Sequence, residues 1–163
     1  SYYDGKNVIQ KVQSLGYVLM DYASGNYYGK YLIRAYYFNK MPESLRDEFS
    51  NNYDLSPNSI KNKLYREENP NTYLAGFARF LIENKSNEYF KEIIFKGLER
   101  FIDYQILQYD DFSKVDVHYV GSIGYYLKDE ITKIGKKYNL KTGKFIQRPI
   151  NGLVDYHKRI ILK

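Results

Sequence analysis

VDVHYVGSIGYYLKDEI, residues Val115 to Ile131, is an apolar strand that runs into Gly121-Ser122-Ile123-Gly124 and at once into an amphipathic helix. Strand, small-residue turn and helix together bring backbone N–H groups and a positive helix end up to a phosphate or a nucleoside. Many α/β proteins turn this way with no ligand, so the element alone leaves both readings open.

Working outward, a helix is expected over Tyr126–Tyr138, with Leu127, Ile131 and Ile134 inward. Asn139–Gly143 reads as a turn and Lys144–Pro149 as a second strand. Asn151 is placed to cap a final helix with Leu153, Val154, His157, Ile160 and Ile161 on one side. Strand, helix, strand, helix argues a parallel βαβα unit.

Ahead of it, Ser1–Val12 reads as a hairpin, with Asp4-Gly5 as a type I′ turn signal between Tyr2-Tyr3 and Asn7-Val8-Ile9. Its first strand is nearly absent, so the segment reads as cut from something longer. Residues 14–25 read as loop and short apolar turn, and Ser24-Gly25 leads into a helix over about Asn26–Asn39. Pro42 suits the first turn of a short helix carrying Leu45 and Phe49. Ser56-Pro57 opens another that runs to about Glu67 and is closed by Asn69-Pro70-Asn71. Leu74, Phe77, Ala78 and Leu81 share one helical face; Phe90, Ile93, Ile94, Gly97, Leu98, Phe101 and Ile102 share a second. Asn84-Lys85-Ser86-Asn87 separates them, with Ser86 and Glu88 marking a new start.

Composition bounds the rest. A chain of 163 residues with 44% hydrophobic and 27% charged side chains suits one ordinary globular domain. No apolar run approaches the roughly 18 residues of a membrane span, and no signal peptide is visible. Zero cysteines exclude disulfides and thiolate metal sites. They fit a reducing, cytoplasmic setting. The two histidines, His118 and His157, stand far apart in sequence and read as packed structural residues, so no metal site is expected. The 20 tyrosines are spread along the chain, as core and rim residues are. From Lys114 to Lys163 there are 11 Lys/Arg and 4 Asp/Glu, a net of +7; the rest carries 14 minus 15, or −1. Those lysines are dispersed over a helix and a turn with no nucleic-acid motif, which favours a solvated face over a nucleic-acid surface. Asp110-Asp111 reads as a surface turn and Asp129-Glu130 as solvated helix charges.

At this point a resemblance enters. HYVGSIGYYLKDEI…GKFIQRPINGLVDYH is similar to the C-terminal end of the N-acetylglucosamine kinase-like proteins of the BadF/BadG/BcrA/BcrD ATPase family. YYDGKNV…SLGYVL resembles the hairpin after that family's Gly-Thr-Gly-Ser phosphate loop. DYASGNYYGKYLI resembles its Asp-Glu-Gly-Ser-Gly motif with the helix behind it, and TYLAGFARFL its Ala-Gly-Phe-Ala helix start. The resemblance covers nearly the whole chain. It implies an α/β, ribonuclease H-like (actin-like ATPase) half-domain. This would comprise a hairpin and sugar-side loop (1–25), a helical insertion (26–110) and a nucleotide-side βαβα unit (111–163).

It implies further that an intact enzyme transfers phosphoryl from ATP, with Mg2+, to an amino sugar. The first phosphate loop, the magnesium site and the catalytic aspartate would lie in an N-terminal half absent here, so no catalytic residue is assigned. The fragment is expected to be inactive and to bind no cofactor tightly. Carried over by position, Gly121 and Ser122 match the nucleoside side, and Tyr126, one turn later, faces the same cleft where the family often has a smaller polar residue. Ala75 and Gly76 match a wall of the adenine pocket. Ser14, Leu15 and Gly16 match the segment near the sugar, and Asp21 the aspartate that takes sugar hydroxyls. Each has a plainer reading: Asp21 as a helix-entry acid, Ser122 as a cap, Ala75-Gly76 as close helix packing.

Where the family has Gly-Asp-Glu-Gly-Ser-Gly, this chain has Met20-Asp21-Tyr22-Ala23-Ser24-Gly25. The Glu and two glycines are gone, which narrows backbone freedom and removes a polar group. That loop carries the alternative reading, a divergent, non-catalytic ATP- or sugar-binding regulator. No membrane or nucleic-acid partner is expected. A homodimer is the further expectation, through a sheet edge left unpaired by a missing half or through the helical insertion.

Overall fold

The structure, a computed structural model, describes residues 1–160. Its elements are β1 (Tyr2–Tyr3), β2 (Val8–Ile9), α1 (Gly25–Tyr37), α2 (Glu43–Asn52), α3 (Pro57–Tyr65), α4 (Pro70–Gly76), α5 (Ala78–Glu83) and α6 (Glu88–Phe101). A π-helical turn (Ile102–Ile106) follows, then β3 (Asp116–Val120), α7 (Ser122–Tyr126), α8 (Lys128–Lys137), β4 (Lys141–Ile146) and α9 (Ile150–Ile160). Among the described residues no helix is long and apolar enough to cross a membrane. The elements form two compact units. One joins residues 1–12 to those from Ile102 onward; the other is residues 13–101.

The 13–101 unit is helical. Ser24 caps α1, its hydroxyl accepting the Tyr27 N–H at 3.1 Å. The spacing of Tyr28, Leu32 and Ala35 buries one stripe of that helix. Two of its glycines permit close approach. A methyl at Gly29 would sit 1.8 Å from the Leu74 carbonyl oxygen of α4, and one at Gly25 would sit 3.0 Å from Ala75 Cβ. The unit's centre is aromatic: Phe49 lies 5.8 Å from Phe77 and 5.0 Å from Phe80, and Phe80 lies 5.6 Å from Phe90. Burying each such ring contributes roughly 1.5–3 kcal/mol. Tyr28 is fully buried and its hydroxyl donates to the Ile94 carbonyl at 3.1 Å.

Two expectations here need correction. Asn69-Pro70-Asn71 starts a helix instead of closing one, with Asn69 left-handed (φ 59°) as the cap and Pro70 at the first helical position. The face Leu74–Leu81 spans two helices, because the chain turns at Phe77 between α4 and α5. The break at 84–87 falls where expected, with the Asn87 side chain accepting the Tyr89 N–H at 2.9 Å.

In the other unit β1 and β2 pair antiparallel, Tyr2 with Ile9 and Tyr3 with Val8. The connection is therefore the four residues Asp4–Asn7 and not a two-residue I′ turn. The Asp4 carboxylate accepts the N–H groups of Asn7 (2.7 Å) and Lys6 (2.8 Å), and those bonds hold its pKa below the ordinary value. Asp110 and Asp111 tie this hairpin down. Asp110 pairs with Lys11 at 2.9 Å, and Asp111 accepts the Tyr2 hydroxyl at 2.8 Å.

Strands β3 and β4 are parallel, with α7 and α8 between them and α9 after them, so the expected βαβα order is present. Leu127, Ile131 and Ile134 are buried as read. The second strand, however, begins at Lys141, not Lys144. Leu140 is already buried and Asn139 takes the left-handed conformation (φ 56°) that ends α8, so the turn is shorter. The expected helix over Tyr126–Tyr138 is likewise two, parted at Leu127.

Pairing shifts between Val117↔Thr142 and Tyr119↔Phe145, which leaves an extra residue on β4. There the Lys144 N–H turns to the His118 side chain. His118 is thus exposed and structural instead of packed. The final helix departs most. It starts at Ile150, ahead of Asn151, and every residue from Ile150 to Ile160 is exposed, including Leu153, Val154 and His157. Its apolar side is not inward; Ile161 lies outside the described residues.

Candidate functional site

The residues carried over by resemblance are divided between the two units. Gly121, Ser122 and Tyr126 follow the C-terminal end of β3. Gly121 has φ +114°, a conformation that requires glycine, and its N–H extends the β3–β4 pairing to the Ile146 carbonyl at 2.8 Å. This fixes Ser122 as the first residue of α7, exposed and not the cap; Gly121 holds the cap position. Tyr126 is exposed, and its hydroxyl accepts from Gln147 Nε2 at 3.0 Å. The crevice beyond the carboxyl ends of parallel strands is where such sheets bind ligands.

The others belong to the helical unit. Ala75 meets α1 at Gly25, while Gly76 ends α4 with open space beside it. Ser14, Leu15 and Gly16 are exposed in a loop where Gly16 takes φ +86°. Asp21 is also exposed and lines a cavity of about 740 Å3. Of the four sugar-side residues, Asp21 alone lines it.

The cavity has three walls. Residues 17–22 form the first. The second is a stripe of α1 carrying Tyr27, Lys30, Tyr31 and Arg34, continued by Phe38. Ile93, Lys96 and Arg100 of α6 form the third. Lys30 Nζ donates to the Tyr17 carbonyl at 2.7 Å and so ties the loop to α1. The Arg100 guanidinium lies 6.0 Å from the Tyr22 ring centre, within cation–π range. Lys96 pairs with Glu92 at 2.5 Å, and that pairing raises its pKa.

Next to the cavity sits Ala23, with φ 58°. It stands where the resembled motif has glycine, and left-handed backbone costs a residue with a Cβ roughly 1–2 kcal/mol. Glycine would adopt the same backbone conformation without that cost.

Sequence reasoning singled out Asp21 but missed Lys30, Arg34, Lys40, Lys96 and Arg100. The signal was present: positions 27, 30, 31, 34 and 38 follow helical spacing and alternate aromatic with basic. The buried stripe of the same helix drew the attention.

No family model matches the chain, and no curated protein matches it significantly. Nine solved chains do match significantly. One, from Porphyromonas gingivalis, is described as a putative N-acetylglucosamine kinase. It is similar over 97% of this chain, with a TM-score of 0.87 and 28% sequence identity. The match spans 56% of that protein's length, as the C-terminal half of such a protein would.

Proposed function

We propose that this chain is the nucleotide- and sugar-binding C-terminal half of an ATP-dependent N-acetylglucosamine kinase-like phosphotransferase, a cytoplasmic protein of the BadF/BadG/BcrA/BcrD type with a ribonuclease H-like, actin-like ATPase fold. The observation that carries this reading is the likeness to the Porphyromonas protein over 97% of the chain. Asp21 would accept hydrogen bonds from sugar hydroxyls, its natural role as an acceptor-only carboxylate. Gly121 would let the nucleoside approach the backbone, with the exposed Ser122 hydroxyl free to bond it. Ala75-Gly76 would leave room for a flat ring.

Among the described residues no group of three or more acidic or histidine side chains is placed to hold a metal ion. On this reading the magnesium site belongs to the other half of the enzyme, and this chain's share of the work is binding and orientation. Phosphoryl transfer to a sugar hydroxyl would be completed by the other half, and the 163-residue chain alone would not turn over.

Isothermal titration of the full gene product with ATP and neutral amino sugars tests this. Saturable binding of both is expected, with Asp21→Asn weakening the sugar by about tenfold, as loss of a charged hydrogen-bond partner does. Absence of binding by every combination would sink the reading.

The loop after Met20 favours a second reading, a regulator that binds without catalysis. Tyr22 replaces the Glu of the resembled motif, and Ala23 strains where glycine would not. Turnover by the full gene product would exclude it.

A further inference from the structure

Cations and aromatics alternate around the cavity of the helical unit, and its acids are few. Lys30, Arg34, Lys40, Lys96 and Arg100 line it, against the single carboxylate of Asp21; five minus one leaves +4. Elsewhere in this unit helix cations have acids one turn away: Lys63 with Glu67, Arg79 with Glu83, Lys91 with Glu88. Helix α1 cannot do this, because its sequence GNYYGKYLIRAYY contains no acid. Arg34 and Lys40 have no ion pair among the described residues. Lys96 has Glu92, but both side chains are 65% exposed, so the pair is weak and readily exchanged for a ligand anion.

Concentrated positive charge in a concave site repels itself and attracts anions. The apolar lining argues against a merely solvated face. Val18, Leu19, Tyr31 and Phe38 remain 68%, 69%, 40% and 65% exposed around the same cavity. Its volume of about 740 Å3 lies within the range of small-molecule sites, roughly 300–1,000 Å3, and exceeds the needs of an inorganic ion. Tyrosine faces suit the C–H faces of a sugar ring, and Asp21 suits its hydroxyls.

We infer that this cavity takes an anionic sugar, one bearing a phosphate or carboxylate group, with Arg34 and Lys40 on the anionic group and Asp21 on the hydroxyls. The inference rests on the sugar-binding reading above and narrows the class of sugar.

The test is calorimetric titration of the full chain with an amino sugar 6-phosphate, a uronic acid, the neutral amino sugar and inorganic phosphate. The sugar phosphate or the uronic acid is expected to bind at least about tenfold tighter than the neutral sugar, and tighter than inorganic phosphate. One charge-assisted contact supplies a factor of that size. Arg34→Gln with Lys40→Gln should abolish that preference. Both side chains are exposed, so circular dichroism should report an unchanged fold.

Equal affinity for charged and neutral sugars would overturn the inference while sparing the kinase reading. So would a preference that survives the double substitution. Inorganic phosphate binding as tightly as the sugar phosphate would reduce the cavity to a simple anion trap and overturn it too. Anionic sugar bound with no detectable neutral binding would support it and count against a neutral substrate.

Discussion

His118 Nδ1 accepts the backbone N–H of Lys144 at 2.9 Å, at the point where β3 and β4 fall out of register. A side chain thus supplies the acceptor that the displaced strand cannot. Such a bond contributes about 0.5–1.5 kcal/mol. His118→Ala should lower chemical stability by about that amount. A methyl at Gly143 would meet the same Nδ1 at 2.5 Å, so Gly143→Ala should cost about as much by displacing the imidazole. The two losses should not add, because the second substitution acts through the ring the first removes. Denaturation midpoints of the two single variants and the double variant check this; additive costs would refute the coupling.

Ala23→Gly should stabilise the chain by about 1 kcal/mol, since Ala23 has φ 58° and glycine relieves that cost. The entropy that glycine adds to the unfolded chain offsets a few tenths of the gain. A thermal melt that falls on this substitution would show that the loop is built differently.

Gly29→Ala should be far more damaging. The added methyl would sit 1.8 Å from the Leu74 carbonyl oxygen, which is backbone and cannot swing away. A loss of about 3 kcal/mol, the upper end for overpacking, is expected in denaturant titration. A cost below about 1 kcal/mol would mean α1 and α4 can part cheaply.

Tyr119 is stacked on Phe145 with ring centres 5.1 Å apart, and its buried hydroxyl has no hydrogen-bond partner among the described residues. Burial pushes its pKa from the ordinary 10.0 up to about 12. A raised folded pKa means that the folded state holds the proton longer than the unfolded state. The stability it supplies is complete below pH 10 and is lost as pH climbs from 10 to about 12. Tyr89, pushed to about 12 chiefly by burial, acts with the same sign. Tyr119→Phe should raise stability by about 1 kcal/mol at neutral pH by removing the orphan hydroxyl. It should also flatten the alkaline limb of the stability curve measured by circular dichroism. An unchanged alkaline limb would assign the effect elsewhere.

The βαβα order and the inward faces of α6 and α8 were legible, because apolar periodicity reports which side of an element is buried. Strand β4 was misplaced by three residues, since the left-handed Asn139 and the buried Leu140 make the turn after α8 shorter than the Gly143 signal suggests. The helix starting at Pro70 was misread because a Pro that can close one helix also opens the next. Asp21 was legible by resemblance alone. The cations around it were not, because α1 packs one stripe into the core while a second lines the cavity, and amphipathic periodicity names only the first. For α9 the periodicity was strong and the expectation failed, since a hydrophobic face in sequence does not supply the surface that covers it.

That helix has a calorimetric consequence. Unfolding typically absorbs about 12–15 cal/mol/K per residue, and the sum comes from apolar surface newly exposed to water. Ile150–Ile160 already shows that surface when folded, so its melting adds almost nothing to the heat-capacity step. The chain should therefore unfold with the thermal signature of a shorter protein, and the missing increment should appear only when something covers α9.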